Sequence, residues 1–233
     1  MADSLDTLRA EVLEANLALP RHGLVTLTWG NVSGIDRSTG HVVIKPSGVS
    51  YERLTAADLV VVDLEGAVMA GDRRPSTDTP THLALYRAFE SVAGIVHTHS
   101  AWATAWAQAG RAIPVLGTTH ADLSGHPVPV TRALTAAEVA DDYERVTGEV
   151  VIEAVSAVGS AEELPCVLVR GHAPFCWGPS PAKAVENAVT LEEVARIALL
   201  TTLLEGEAPP LPEHVRDKHF QRKHGPQAYY GQR

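Results

Sequence analysis

Val92-Ala93-Gly94-Ile95-Val96-His97-Thr98-His99-Ser100 is the stretch on which the fold turns. An apolar run that reaches two alternating histidines and then a helix-capping serine reads as a short buried strand, Val92 to Thr98, handing over to a helix. The Trp- and Ala-rich segment after Ser100 continues as that helix until Gly110 ends it. Upstream, Thr79-Pro80 supplies a cap and a first-turn proline for a helix ending near Phe89. Strand and helix therefore alternate around the histidines.

The same alternation extends in both directions. A first helix is expected from about Asp3 to Leu19, with Leu5, Leu8, Val12 and Leu19 near helical spacing and Pro20 and Gly23 marking its stop. His41 to Lys45 and Leu59 to Leu64 are rich in Val and Ile, and Glu65-Gly66 reads as a hairpin turn before Ala67 to Ala70. Downstream, Ile113 to Thr118 is strand-like, Thr135 and Glu138 form a capping box, Val167 to Arg170 is apolar, and Ser180-Pro181 opens a long helix to Leu204. That order predicts one domain with a sheet layered by helices. By composition alone, the polar stretch from Pro209 to Arg233, which holds His214, His219, Arg222, His224, Tyr229 and Tyr230, reads equally as a frayed tail.

A chain of 233 residues with 45% hydrophobic content can bury a substantial core. It contains no apolar run long enough to span a bilayer, and its start, Met1 to Asp6, is acidic where a secretory signal would be basic and then apolar, so a cytoplasmic location is expected. Cys166 and Cys176 lack Cys-x-x-Cys spacing and are expected to be reduced core residues. A formal charge of −9 argues against a nucleic-acid partner. Any bound anion needs a local site.

His97 and His99 are alternate residues at a strand end, so their side chains share a face about 6.6 to 6.8 Å apart along it and can converge on one cation. For an isolated His-x-His, two unrelated polar residues is the plain alternative. His172 follows a second apolar run and Gly171, which lets the backbone turn and leave the side chain facing a cleft. Asp78, just before the Pro80 helix, is the natural carboxylate beside them, or equally a helix N-terminal partner. Three neutral imidazoles with an open position suit catalytic Zn²⁺, and other first-row divalent ions also fit.

Lys45-Pro46-Ser47-Gly48 ends a strand in a turn carrying a cation, a hydroxyl and a glycine amide, a set that can hold a phosphate dianion. Gly30-Asn31-Val32-Ser33 and Pro75-Ser76-Thr77-Asp78 offer more amides and hydroxyls, each with an ordinary turn-forming reading as well.

Together these segments resemble the class II sugar-phosphate aldolase and epimerase family over nearly the whole chain. The matching stretches are Glu14 to Pro20, Leu24 to Ser33, Ile44 to Val49, Ser76 to His82, Gly94 to Ser100, Gly117 to Asp122, His172 to Gly178 and Asp217 to Gln232. The resemblance implies an α/β fold, a single domain whose central, mainly antiparallel sheet lies between helices in three layers. It implies His97, His99 and His172 as zinc ligands, with Asp78 at the acidic position where related aldolases carry glutamate. Gly30, Asn31, Lys45, Ser47, Gly48, Ser76 and Thr77 fall on positions for substrate and phosphate, Thr77 keeping the hydroxyl of a serine. Asp122 and Tyr230 match the acid/base pair of the family's epimerases, and Thr118, Glu144, His219 and Arg222 fall in or near the site. The implied reaction inverts a carbon of a ketopentose phosphate by retro-aldol cleavage and re-addition, in a cyclic homotetramer with sites between subunits, so that residues 209–233 become an active-site element. An aldolase or dehydratase on the same scaffold is the nearest alternative, and a sugar-phosphate-binding protein with structural zinc is the alternative of another class.

Overall fold

The computed structural model describes residues 2–231, with side chains from residue 5 onward; Met1 of the acidic start, Gln232 of the last resembling stretch and Arg233 of the polar stretch lie outside the described residues. Helix α1 (Ala2–Arg21) runs through Pro20 instead of stopping before it; the ring removes one intrahelical donor, and the turn still closes through the His22 amide, which donates to the Ala18 carbonyl at 3.0 Å. Strands β1 (Asn31–Asp36), β2 (His41–Ile44), β3 (Val60–Val62) and β4 (Val68–Ala70) follow, then α2 (Thr79–Ala88), β5 (Gly94–His97) and α3 (Ala101–Ala109). The second half comprises α4 (Thr118–Leu123), α5 (Ala136–Ser156), β6 (Cys166–Leu168), β7 (Pro174–Gly178), α6 (Pro181–Glu205) and α7 (Glu213–His224).

The strands form one sheet in the order β4-β3-β2-β1-β5-β7-β6, and every neighbouring pair is antiparallel. Alternate side chains divide between its faces. Val42, Ile44, Val60, Val62, Ile95, Val167, Phe175 and Trp177 pack with Leu85 and Tyr86 of α2 and Val151 and Val155 of α5. Val32, Val96, Cys166, Leu168 and Cys176 pack on the opposite side with Leu19 of α1, Trp106 of α3 and Leu191 of α6. Each such side chain taken fully out of water contributes about 1.5–3 kcal/mol. Because both faces are covered there, β2, β3, β5 and β6 read as largely continuous apolar runs instead of alternating ones.

Several expectations need correction. Strands β1 and β7 were not anticipated; β1 contains the buried polar residues Asn31 and Ser33, and β7 starts on Pro174, a position a strand tolerates. Ile113 to Thr118 is not a strand: Ile113 makes a lone bridge to Val128, the Val115 carbonyl accepts from the Leu211 amide, and Thr118 already begins α4. Asp78, not Thr79, occupies the N-cap of α2. The polar C-terminal stretch contains a helix, α7, packed on α4. The capping box of Thr135 and Glu138 and the Ser180 cap form as expected, the Ser180 hydroxyl accepting from the Lys183 amide.

Two close fits locate the site. Gly94 lies against the start of α6, where an added Cβ would come within 2.4 Å of the Pro181 nitrogen and of the Ser180 carbonyl carbon. Backbone cannot yield as a side-chain tip can, so Gly94→Ala is expected to lower unfolding free energy by about 1–3 kcal/mol or more, read from urea denaturation. The second fit is a parting of strands. Ser33 pairs with Ile44, but beyond Ile44 the chain leaves β1, and the Lys45 carbonyl accepts from the Ser76 amide instead. Asn16 of α1 takes the vacated place: its carboxamide oxygen accepts from Val32 N–H (2.9 Å) and its Nδ2 donates to the Val32 carbonyl (3.1 Å). No buried backbone group on β1 is left orphaned by the parting at Val32.

Candidate active site

A cavity of about 580 Å³ opens where β1 and β2 part. Lys45, Ser47, Gly48, Gly30, Asn31, Ser76, Thr77 and Asp78 line it together with His97, His99, His172 and Glu144. The sequence loops that separately suggested an anion site are thus brought to one pocket with the histidines. Ser47 N–H donates to the Arg74 carbonyl and Pro46 bridges Pro75, which zips the Lys45 and Ser76 loops together.

His97 ends β5 opposite Asn31 of β1 and Phe175 of β7. Its ring stacks on Phe175 at 4.3 Å between centroids and 19°, and its Nδ1 lies 3.0 Å from the Pro174 carbonyl. Donation to that carbonyl fixes the tautomer and leaves Nε2 as a free lone pair. His99 sits two residues on, just before α3. Ser100 occupies the N-cap with extended backbone but makes no side-chain cap bond. The cap comes from α6 instead, where the Glu192 carboxylate accepts the Trp102 and Ala103 amides at 2.8 and 2.9 Å. His172 stands in the β6–β7 turn after Gly171, whose φ of 73° is readily available to glycine.

The three imidazole centroids are 5.0, 4.9 and 4.9 Å apart, and one nitrogen from each lies within 4.8 Å of the others. Burial, and then the charges of His97 and His99, push His172 down to about 4, so it is neutral near pH 7. Its Nδ1 is buried without a hydrogen-bond partner. Three convergent imidazoles, one with an unsatisfied buried nitrogen, fit a divalent metal ion. Asp78 lies in the same pocket but outside that compact group: its Oδ2 accepts from Asn31 Nδ2 at 2.6 Å and from the Ser76 hydroxyl at 3.3 Å. Burial pushes the Asp78 carboxyl up, but the neighbouring His97 and His82 and the Asn31 amide outweigh it and hold it below the usual carboxylate value.

Lys45 is 2% exposed, and no salt bridge to it occurs among the described residues. Its ammonium sits 4.9 Å over the Tyr51 ring, whose hydroxyl in turn donates to the Gly30 carbonyl at 2.8 Å. Desolvation pushes Lys45 down to about 8. A buried cation lacking a carboxylate partner is poised for an anion. Below pH 8 the ammonium is charged; as pH rises through that value the free protein loses the charge. Apparent second-order turnover of a phosphorylated substrate, kcat/KM, should therefore fall roughly tenfold per pH unit above about 8 while kcat holds level, and Lys45→Met should lower it at all pH values and remove the break.

Asp122, Tyr230, His219 and Arg222 do not line this cavity. They form a second cluster, between α4 and α7. The Arg222 guanidinium donates to both Asp122 oxygens at 3.1 and 2.5 Å, His219 Nδ1 lies 3.1 Å from Oδ1, and the Tyr230 ring lies 4.9 Å from the guanidinium carbon. Burial pushes the Asp122 carboxyl up, but the bonds from Arg222 and His219 outweigh it and keep it ionised. Thr118 begins the helix that carries Asp122 and is likewise outside the first cavity. Sequence reading missed Thr28, Trp29, Tyr51 and Tyr143, which line or underpin the first pocket. Their adjacency to Gly30 and Glu144 was the available signal for all but Tyr51.

A three-layer antiparallel α/β fold with a triad of imidazoles beside a buried lysine in one cavity defines the class, and residues 10–199 match the sequence family described as Class II Aldolase and Adducin N-terminal domain. The chain belongs to the class II aldolase and epimerase family. It is similar to L-ribulose-5-phosphate 4-epimerase UlaF of Salmonella paratyphi B, with 54% identity over 231 residues, 98% of this chain and 100% of the relative. The corresponding enzyme of Salmonella paratyphi A matches at the same identity and coverage. Among solved structures, L-fuculose 1-phosphate aldolase superposes with a TM-score of 0.78 at 23% identity, covering 93% of this chain and 95% of the aldolase, a likeness of fold. Among the described residues, no helix is long and apolar enough to cross a membrane.

Proposed function

We propose that this protein is an L-ribulose-5-phosphate 4-epimerase, interconverting L-ribulose 5-phosphate and D-xylulose 5-phosphate in the cytoplasm with Zn²⁺ on His97, His99 and His172. The observation that carries the reading is the pairing, in one cavity, of the imidazole triad with Lys45, whose buried ammonium has two long contacts to backbone carbonyls and the Tyr51 ring beneath it but no carboxylate partner among the described residues. The 54% identity to named epimerases supports the substrate.

The C4 proton of a ketopentose phosphate is not beside the carbonyl, so direct deprotonation there gains no resonance stabilisation. Breaking and remaking the C3–C4 bond avoids the difficulty. A bound divalent ion supplies Lewis acidity where negative charge develops on oxygen during that cleavage. Lys45, Ser47, Gly48, Ser76 and Thr77 hold the phosphate, so the aldehyde fragment turns without leaving, while Gly30 and Asn31 shape the wall between phosphate and metal. In this arrangement Asp78, fixed by Asn31 and Ser76, is a charge partner beside the ion more than a fourth ligand, and Glu144 borders the same space.

Asp122 and Tyr230 move the C4 hydroxyl proton on the two faces, one accepting and the other returning it. Because they lie outside the cavity of their own chain, they reach the aldehyde from a neighbouring subunit, with Thr118, His219 and Arg222 holding that edge. A homotetramer with interfacial sites, one domain per chain and residues 209–233 completing the neighbour's site satisfies this requirement. The fold likeness to an aldolase supports one other reading, release of the aldehyde. Incubation with L-ribulose 5-phosphate distinguishes them: clean conversion to D-xylulose 5-phosphate is expected, and accumulation of free glycolaldehyde phosphate would replace the epimerase by an aldolase.

A further inference from the structure

We propose that Tyr143 is a specificity residue that recognises the C1 hydroxymethyl end of the ketose phosphate, presented to the pocket by a break inside α5; the proposal rests on the epimerase reading. At Asp142 the backbone of α5 leaves helical geometry, with φ −145° and ψ 82°. The Asp142 carboxylate accepts the Arg145 amide at 3.2 Å, the bond a helix N-cap makes three residues on, so the helix restarts at Tyr143. Arg145 ties the two sides together through Asp141, Asp142 and Glu149. The Thr81 hydroxyl donates to the Glu144 carbonyl at 2.5 Å, fixing the restart against α2. Further along, an added Cβ at Gly148 would meet the Ala84 Cβ at 2.6 Å, so the helices cross too closely for the restart to drift.

The sheet order sets where Tyr143 falls on the substrate. Lys45 follows β2, Asn31 begins β1, His97 ends β5 and His172 precedes β7, and these strands lie side by side in that order. A ketose phosphate held by its phosphate over β2 and β1, with its carbonyl end at the triad, points C1 towards the β6–β7 turn. Tyr143 lines the cavity there, its ring 6.3 Å from that of His172 at 43°. The Thr147 hydroxyl donates to the Tyr143 carbonyl at 2.7 Å, which secures the first turn after the break and so the place of the phenol on the cavity wall. A phenol both donates and accepts, so from this wall it can hydrogen-bond a substrate hydroxyl in either sense.

The test compares the metal-loaded wild-type protein with Tyr143→Phe, using L-ribulose 5-phosphate and its 1-deoxy analogue. Wild type is expected to favour the parent substrate by about 10- to 100-fold in kcat/KM, the range for a hydrogen bond whose loss strands a buried partner. In Tyr143→Phe that preference should shrink to within about threefold of unity, with the analogue turned over as in wild type. Metal content and melting temperature, measured on the same preparations, should match wild type. A variant that keeps the wild-type preference, or slows both substrates equally, overturns the assignment of Tyr143 and leaves the epimerase standing. Wild type that converts neither substrate removes the epimerase reading and this proposal with it.

Discussion

Replacing His99 by alanine should yield a folded protein that retains little metal on purification and converts L-ribulose 5-phosphate at least about 10³-fold more slowly, since Lewis-acid stabilisation is worth several kcal/mol and each 1.36 kcal/mol is tenfold in rate. His99 is the informative choice among the three because it is the exposed one. His97 is stacked on Phe175 and bonded to the Pro174 carbonyl, so its removal also opens a hole in the core. His172 is half-buried and sits in a tight turn. Exhaustive chelation of the wild type should match the variant, with Zn²⁺ restoring the chelated protein and not the variant. Metal analysis of His99→Ala finding a full complement, with normal turnover, would remove the triad from the reaction.

The second large effect concerns the other cluster. Tyr230→Phe and Asp122→Asn are each expected to lower kcat by about 10² to 10⁴, the usual worth of general acid/base help, with metal content unchanged. Neither residue lines the metal cavity of its own chain, and Tyr230 is 57% exposed. If they serve a neighbour's site, co-expressing Tyr230→Phe with His99→Ala should produce mixed assemblies in which some sites carry both intact halves. Random assortment at a two-chain site restores up to about a quarter of wild-type activity from two nearly inactive parents. Activity in the mixture no higher than in the parents would place the whole reaction within one chain, or remove Tyr230 from it.

The parts of the site that were legible in the sequence are those encoded by local rules. His97 and His99 follow strand alternation, His172 follows a glycine turn, and the helix starts at Thr135 and Ser180 are written in capping residues. What was hidden depends on partners distant along the chain. Strand β1 reads as polar and glycine-rich because Ser33 is buried against His82 and Tyr86, at 2.7 and 2.8 Å, and Gly34 leaves room for Leu8 and Pro181. No local pattern announces those partners. The Ile113 to Thr118 run is apolar because it is covered, not because it is paired. Helix α7 has no buried residue and hence no apolar stripe, its contacts with α4 being made largely through the charges around Asp122. The resemblance to a family gave that segment an expected role where periodicity could not.

The side chain of Asn16, by standing in for a strand that has turned away, holds the mouth of the anion pocket open with covalently attached parts. The gap between Val32 and Lys45 is therefore a permanent element of the resting molecule, stabilised from α1 whether or not a phosphate is present. A guest arriving there finds the two strand ends already apart, and little of its binding free energy is spent on rearranging the host.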